Sequence, residues 1–313
     1  MARRAAASAT LDVARSILAE HATRELVEQH DFAGRVVAFN AASAAGYTSV
    51  EWVLRQAGAI TIEHTHGSGG NAFYGAAESA AMIQSVWTKP DGAVFEGTRE
   101  IIVAGMPQVL RLRRRTPVVP RRILLMTNYV HRDRPYLALP LEPFQDEMLR
   151  VPLLLRKALG PDLEFRWRPH PADEDGAVAR GHAKVPFVSL SRDRSLAEDL
   201  DACDVAFSGQ STALIEAVTS EVPFFVQVTP ELANEMAWVP LERRFFRAEE
   251  VVAPFVAWVA ALRRGDPEAD AATARAKVAL FGVSAQPRTL HDAIATLPPR
   301  RDPQRFAHAR MKP

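Results

Sequence analysis

Cysteine is almost absent from this sequence, and its scarcity excludes several classes of protein. The only cysteine among the 313 residues is Cys203. One cysteine cannot form an intramolecular disulfide, and it excludes a zinc site built from several thiolates. Because Cys203 borders an apolar segment, it is best explained as a small buried core residue. A chain that does not depend on disulfides fits a reducing compartment, so we expect a cytoplasmic protein.

Neither an excess of charge nor a long hydrophobic run is present. The formal net charge is +1, so the chain has no overall field that would attract nucleic acid. The longest apolar stretch, Val251–Leu262, contains Pro254 and is too short to cross a bilayer. The N-terminal segment also lacks the apolar core of a signal peptide. We therefore expect an enzyme or binding protein without a membrane span.

Several motifs that identify nucleotide-binding and hydrolytic enzymes are missing. The sequence has no P-loop GxxxxGK[ST], no GxGxxG fingerprint and no GxSxG elbow. Instead, strand patterns alternate with helix patterns, which predicts a parallel sheet with helices on its faces. We predict an N-terminal domain over 1–110, a basic linker over the arginine-rich 111–122, a C-terminal domain over 123–297 and a basic tail over 298–313.

Hydrophobic periodicity predicts the individual elements. The predicted strands are Val36–Phe39, Ala59–Glu63, Ser85–Thr88, Ile101–Val103, Ile123–Met126, Leu163–Trp167, Phe187–Leu190 and Asp204–Ser208. The predicted helices are 10–29, Thr48–Gln56, Asn71–Gln84, Pro143–Leu159, Glu231–Met236, Val251–Arg264 and Pro267–Val278. We expect Pro152 to kink or split its helix, and we expect Asp266 to cap the last one.

Three loops that follow predicted strands carry side chains suited to binding or catalysis. In parallel α/β sheets, ligands bind where the carboxyl ends of the strands meet. The loops are His64–Gly70, Arg168–Pro171 and Ser208–Thr212. In the first, His66 is the candidate base, whereas His64 is better explained as a buried structural histidine. The HxH spacing could also hold a metal, but no second ligand pair supports that.

The second and third loops combine a rigid histidine with an anion-binding turn. Pro169 and Pro171 restrict the backbone on both sides of His170. Ser211 and Thr212 open a helix, where free N–H groups and the helix dipole favour an anion. An ordinary capped turn is the alternative. Glu216, about one turn along, either accepts a hydrogen bond from a sugar hydroxyl or is an exposed helix carboxylate.

In chain order, several motifs together resemble a known family. They are HG, RPHP, S-x-x-E-D-L-x-x-C-D-V, S-G-x-S-T-x-x-x-E-A and V-P-F-F. The chain resembles the GT-B glycosyltransferase-like enzymes of bacterial surface polysaccharide synthesis. Among these are capsule polysaccharide transferases, polysialyltransferases and CDP-glycerol glycerophosphotransferases. Arg166–Gln227 resembles the family best and Glu63–Pro107 resembles its acceptor-side segment, so the likeness covers roughly two-thirds of the chain.

The resemblance implies an α/β fold of two facing Rossmann-like domains, the GT-B architecture, with an N-terminal domain that is short or incomplete. It implies a glycosyltransferase that moves a sugar or glycerol phosphate from a CMP-, CDP- or UDP-linked donor to a glycan or lipid-linked acceptor, without metal or cofactor. By position, His66 and His170 would be catalytic. The donor-binding residues would be Arg168, His170, Thr127, Asn128, Ser208, Gly209, Gln210, Ser211, Thr212 and Glu216.

Other functions remain open. A UDP-N-acetylglucosamine 2-epimerase would share the architecture and would need carboxylates such as Glu63, Glu78 and Glu216. The short N-terminal half also fits a non-catalytic nucleotide-sugar-binding subunit, and the HxH pair fits a metal-dependent hydrolase. For a transferase we expect a position in the cytoplasm or at the inner face of the cell membrane and no nucleic-acid partner. Peripheral membrane association and a homo-oligomer are also open.

Overall fold

The computed structural model describes residues 2–41, 45–65, 81–93, 100–104, 118–127, 141–171, 173, 175–229, 236–282 and 290–295. The chain divides into two compact units, Met1–Val109 together with Ser284–Pro313, and Leu110–Val283. Each unit has its own sheet, and all strand pairs within these sheets are parallel. In the described part of the chain, no helix is both long enough and apolar enough to span a membrane.

The sheet of the first unit follows the chain order, β1-β2-β3-β4. Its strands are β1 (Val36–Ala41), β2 (Ile60–Thr65), β3 (Ile83–Val86) and β4 (Glu100–Val103). The helices that precede or connect them are α1 (Ala2–Gln29), α2 (Ala45–Gln56) and α3 (Lys89–Ala93). Ile62 and Ile83 pair across β2 and β3 and are completely buried, so the centre of this sheet is its apolar core.

The first unit confirms most of the predicted elements, with one correction. The predicted helix Asn71–Gln84 is wrong at its end, because Ile83 and Gln84 belong to β3 and pair with β2. The rest of that segment, 71–80, lies outside the described residues. The strand is buried along its whole length, so its sequence lacks the alternation of polar and apolar residues that marks a half-exposed strand. Helix α3, of five residues, was not predicted.

The second unit contains a six-stranded sheet in the order β10-β9-β8-β5-β6-β7. Its strands are β5 (Arg122–Met126), β6 (Glu164–Arg168), β7 (Ser189–Leu190), β8 (Val205–Ser208), β9 (Phe224–Gln227) and β10 (Arg244–Phe245). Its helices are α4 (Leu141–Leu159), α5 (Asp175–Lys184), α6 (Leu196–Ala202), α7 (Thr212–Thr219), α8 (Ala248–Arg263) and α9 (Ala271–Phe281). The last described helix, α10 (Leu290–Ala295), belongs to the first unit.

Alternate residues of β5 build the two cores of the second unit. Ile123 and Leu125 pack on the side of α4, α5 and α8. Leu124 and Met126 face the opposite side, towards α6 and α7. This period-two alternation with both sets buried is typical of a central parallel strand. The second unit is therefore a sheet covered by helices on both faces.

Two helices of the second unit differ from the prediction, one in its continuity and one in its start. Helix α4 continues through Pro152, which is buried within it, so the proline does not split the helix. Helix α9 begins after Asp270 and not after Asp266. The carboxylate of Asp266 accepts a hydrogen bond from the Glu268 N–H, at 2.9 Å, and this local turn delays the helix. Helix α5 and strand β10 were not predicted.

The replacement Gly181→Ala should destabilise the second unit. Gly181 lies in α5, where an added Cβ would be 2.7 Å from the Trp167 Cη2 and 3.1 Å from the Leu149 Cδ1. Trp167 is completely buried, so it cannot move away freely. We expect the free energy of unfolding, measured by denaturant titration, to fall by about 1–3 kcal/mol, the usual cost of overpacking.

The control for this prediction is Gly176→Ala in the same helix. There the added Cβ would meet only the flexible end of Arg180, at 3.4 Å. Alanine is the better helix former by up to about 1 kcal/mol, so this variant should be as stable as the parent or more stable. Equal losses in both variants would contradict the packing explanation.

Candidate functional site

The carboxyl edge of the second sheet brings together most of the predicted site residues. The last residue of β5, Met126, pairs with Arg168 at the end of β6 and with Ser208 at the end of β8. The backbone continues this alignment, because the Thr127 N–H donates to the Arg168 carbonyl at 3.3 Å and the Gly209 N–H donates to the Met126 carbonyl at 3.1 Å. Three chain segments far apart in sequence therefore end side by side.

The turn from β8 into α7 presents N–H groups that have no partner among the described residues. Ser211 has extended backbone angles at the N-cap position, yet its side chain makes no capping hydrogen bond. Its hydroxyl oxygen lies 3.4 Å from that of Ser208, which donates to the Gly209 carbonyl. The N–H groups of Thr212 and Ala213 also have no acceptor in the described part of the chain. The turn thus offers several donors at the positive end of a helix dipole.

Polar atoms without partners also cluster beside this turn. Both amide atoms of Gln210 are inaccessible to solvent and have no hydrogen-bond partner among the described residues. The same holds for the Gln227 Oε1 and the Thr229 Oγ1 at the end of the neighbouring strand β9. Such groups are rare in folded proteins because they cost free energy. We interpret this concentration at one edge as a mark of a binding site.

Gln227 and Thr229 were not predicted as site residues. Gln227 ends β9, where its Nε2 donates to the carbonyls of Phe144 and Phe246 at 3.0 and 3.2 Å. The sequence offered one signal, a glutamine within the otherwise apolar run that forms β9. A buried amide at the end of a central strand needs partners from other elements, and those partners are visible only in the fold.

His170 follows β6 in a tight turn. Its backbone N–H donates to the Asp173 carboxylate at 3.0 Å, and the Asp173 N–H donates to the His170 carbonyl at 2.9 Å. His170 is exposed at the surface, but its surroundings partly desolvate the ring and lower its pKa below the ordinary value, although Asp173 acts in the opposite direction. The imidazole is therefore mostly neutral at pH 7 and can both donate and accept a hydrogen bond.

Arg168 is the last residue of β6 and interacts with residues of α6 and α7. Its Nη1 donates to the Arg194 carbonyl at 2.6 Å and to the Asp199 Oδ2 at 2.9 Å. Arg168 also interacts electrostatically with Glu216 on α7. Burial raises the pKa of Glu216, and the charge of Arg168 opposes that rise. Glu216 is thus a partly buried carboxyl group and not the exposed helix carboxylate of the alternative interpretation.

The histidine of β2 is structural. His64 is 4% exposed, its Nδ1 lies 2.9 Å from the Ser85 Oγ, and its Nε2 accepts from the Trp87 Nε1 at 3.1 Å. The accepted bond requires a bare Nε2, so the proton is on Nδ1 and is donated to Ser85. Burial lowers the pKa of His64 to about 4. With both nitrogens occupied, this side chain has no position left for a metal.

Two predicted site residues, His66 and Asn128, lie outside the described residues. Their assignments remain predictions. Within the ranges that the structure describes, no group of three or more histidine, cysteine, aspartate or glutamate side chains is arranged to hold a metal ion.

Comparison with known proteins gives structural neighbours only. No family model matches the chain, and no curated protein sequence matches it significantly. A Listeria monocytogenes protein described as a UDP-N-acetylglucosamine 2-epimerase is similar, with a TM-score of 0.54, 13% identity and coverage of 84% of this chain and 76% of that one. The Neisseria meningitidis UDP-N-acetylglucosamine 2-epimerase bound to UDP-N-acetylglucosamine has a TM-score of 0.51, 11% identity and coverage of 85% and 76%.

A glycosyltransferase is among the similar structures as well. The pneumococcal O-GlcNAc transferase in complex with UDP and GlcNAc has a TM-score of 0.51 and 14% identity, over 81% of this chain and 55% of that one. Identities this low establish the fold alone. The chain has the GT-B fold, an α/β architecture with two Rossmann-like domains, as the motif resemblance implied.

Protonation of His64 should make the stability depend on pH. A pKa of about 4 in the folded protein, against 6.5 for an ordinary histidine, means that the unfolded chain binds the proton first as the pH falls. The stabilisation of the folded protein by neutral His64 is fully present above pH 6.5. About 3 kcal/mol of this stabilisation is lost as the pH falls from 6.5 to 4. In His64→Gln, the free energy of unfolding, measured by denaturant titration, should decline less steeply over this pH range. An unchanged decline would contradict the assignment, while the value at pH 7.5 reports the packing loss separately.

Proposed function

We propose that this protein is a GT-B glycosyltransferase that moves a sugar, or glycerol phosphate, from a CMP-, CDP- or UDP-activated donor to a surface glycan acceptor. The observation that carries the proposal is the group of N–H donors without a described acceptor at the start of α7, on the sheet edge where β6 leads into His170 and on the helix that carries Glu216. The structural neighbours that hold UDP-N-acetylglucosamine or UDP and GlcNAc support a nucleotide-activated sugar as substrate.

In this proposal the donor diphosphate binds at the start of α7. The hydroxyl groups of Ser211 and Thr212 and the free N–H groups of the first turn donate to its oxygens. When the bond to the sugar breaks, negative charge develops on the leaving phosphate. Donors already fixed in position stabilise that charge without reorganisation, so this turn would accelerate transfer as well as bind the donor.

His170 and Glu216 fit the phosphate and the ribose of such a donor. A neutral His170 donates one hydrogen bond to a phosphate oxygen without adding a permanent charge. The partly buried carboxyl of Glu216 accepts from a ribose hydroxyl. The acceptor hydroxyl would need a base, and His66 of the HG motif is our candidate for it. The His66 assignment rests on the motif alone.

An epimerase is the second candidate, because two of the three similar structures named above carry that description. Epimerisation removes a proton from the sugar and needs no acceptor. Among the carboxylates considered for that step, Glu63 is buried in β2 and Glu216 lies on α7. Glu78 lies outside the described residues, so the structure does not bring the three carboxylates together, and the motif resemblance is why we prefer transfer.

A nucleotide screen by thermal denaturation tests the binding step. A saturating nucleotide should stabilise the protein by about 2.7 kcal/mol at one hundred times Kd, which corresponds to roughly 5 °C or more for a domain of this size. We expect CMP, CDP, UDP and GDP to differ, with one cytidine or uridine nucleotide giving the largest shift. No shift with any of the four would overturn the proposal.

Replacing Ser211 should locate the nucleotide. Because Ser211 makes no capping hydrogen bond, Ser211→Ala should leave the melting temperature of the free protein nearly unchanged. It should raise the nucleotide Kd about tenfold, the effect of losing a hydrogen bond to a charged group. The matched control is Ser220→Ala at the other end of α7, which should bind like the parent. Equal affinities in all three proteins would exclude the start of α7 as the site.

Product analysis distinguishes transfer from the alternatives. With UDP-N-acetylglucosamine and related donors, a transferase should release nucleotide faster when a suitable glycan acceptor is present. Conversion of UDP-N-acetylglucosamine to its 2-epimer without acceptor would favour the epimerase. Binding without turnover of any donor would favour the non-catalytic subunit.

A further inference from the structure

One buried carboxylate near the proposed donor site has no role in the function described so far. Asp199 lies in α6, within the E-D-L motif, and its side chain is completely shielded from solvent. An isolated charge is costly to bury unless it is paired and hydrogen-bonded. Its partners therefore explain why it is there.

The partners of Asp199 are unusually basic. Its carboxylate oxygens lie 2.9 Å from the Arg168 Nη1, 3.4 Å from the Arg166 Nη1 and 3.4 Å from the Arg194 Nε. Ser191 donates a further hydrogen bond to the Oδ2, at 2.5 Å. Three guanidinium groups therefore surround this one carboxylate, while Glu216 interacts with Arg168 and Glu198 with Arg194.

This cluster lies at the carboxyl edge of the sheet. Arg168 is the last residue of β6, and Ser191 and Arg194 belong to the segment that leads from β7 into α6. Arg168 in turn interacts with Glu216 on α7. The arginine cluster is therefore at the same edge of the sheet as the start of α7.

Arg168 is fixed at one nitrogen and open at the others. Its Nη1 is engaged by the Arg194 carbonyl and Asp199. Its Nε and Nη2 donate no hydrogen bond to any described residue, and the side chain is 20% exposed. A guanidinium anchored in this way presents its remaining donors in a fixed direction, which suits recognition of phosphate oxygens.

We propose that Asp199 is a positioning residue of the donor site, which holds the Arg168 guanidinium so that its open donors face the donor diphosphate. Asp199 itself does not touch the donor. The idea rests on the proposed function, since it requires a diphosphate at the start of α7. It adds that affinity for the diphosphate depends on a carboxylate buried behind the arginines.

The sign of the effect separates positioning from simple charge. Asp199→Asn removes a negative charge close to an anion site, so electrostatics alone would make diphosphate binding tighter. Positioning predicts the opposite, because asparagine keeps only one of the two acceptor oxygens, and its NH2 group cannot accept from the arginine that faces it. A purely structural role would lower stability without selecting between phosphate-bearing and phosphate-free ligands.

The experiment compares nucleoside diphosphates with their nucleosides by isothermal titration calorimetry. The probe is CDP, UDP or GDP, whichever gives the largest thermal shift, together with the matching nucleoside. In Asp199→Asn we expect the diphosphate Kd to rise about tenfold or more, as for loss of a hydrogen bond to a charged group. The affinity for the nucleoside should stay within about twofold.

The matched control is Asp204→Asn. Asp204 pairs with Arg122 at the opposite, amino edge of the same sheet, at 2.6 Å, and accepts the Arg121 and Arg122 N–H groups. Its replacement breaks a comparable ion pair away from the site, so stability should fall while both affinities remain those of the parent. If Asp199→Asn does not fold, Ser191→Ala loosens the same carboxylate and should raise the diphosphate Kd about two- to fivefold.

The possible results are distinct. Unchanged or tighter diphosphate binding in a folded Asp199→Asn, or an equal loss for the nucleoside or in Asp204→Asn, would overturn the positioning role and leave the proposed function intact. A parent protein that binds none of CMP, CDP, UDP and GDP would overturn the proposed function itself, and the positioning role with it. A parent protein that binds CMP alone would overturn only the positioning role.

Discussion

The pairing of β5 with two neighbours is the constraint on which the second unit depends. β5 pairs with β6 on one side and with β8 on the other, in a register that aligns Met126 with both Arg168 and Ser208. That register brings the RPHP segment and the start of α7 to one edge. A shift of one residue would turn every side chain of the strand to the opposite face. Leu124 and Leu125, both completely buried on opposite faces, anchor β5 in the two cores.

Burial shifts the pKa of titratable groups in both units. It lowers the pKa of His64 and of His170 and raises that of Glu216. In each case the neutral form is favoured because the protein interior solvates a charge less well than water. The basic cluster around Asp199 is the exception, since its charges satisfy one another. At the candidate site, the permanent positive charge of Arg168 thus lies near Glu216, whose pKa is raised by burial.

The sequence was sufficient for the parts that depend on local pattern. The strands that became β5 and β8 were predicted because their apolar runs are short and bounded by turns, and Ser211 was placed at the start of its helix by the Ser-Gly-Gln-Ser turn. The role of Asp199 could not be predicted, because its arginine partners include Arg166, 33 residues away. The start of α9 was misplaced for a local reason, since an aspartate followed by proline begins either a helix or a turn.

The bond between Asp204 and the start of β5 has a consequence for how the protein folds. Asp204 accepts the Arg122 N–H across 82 residues of sequence, so β5 and β8 are joined only after a large loop closes. Pairing over such separations is slow, since the chain entropy is lost before the contacts form. During synthesis β5 emerges well before its partner β8. The edge that carries the candidate site is therefore completed late. Until β8 pairs with it, β5 has an unpaired apolar edge, which is prone to aggregation.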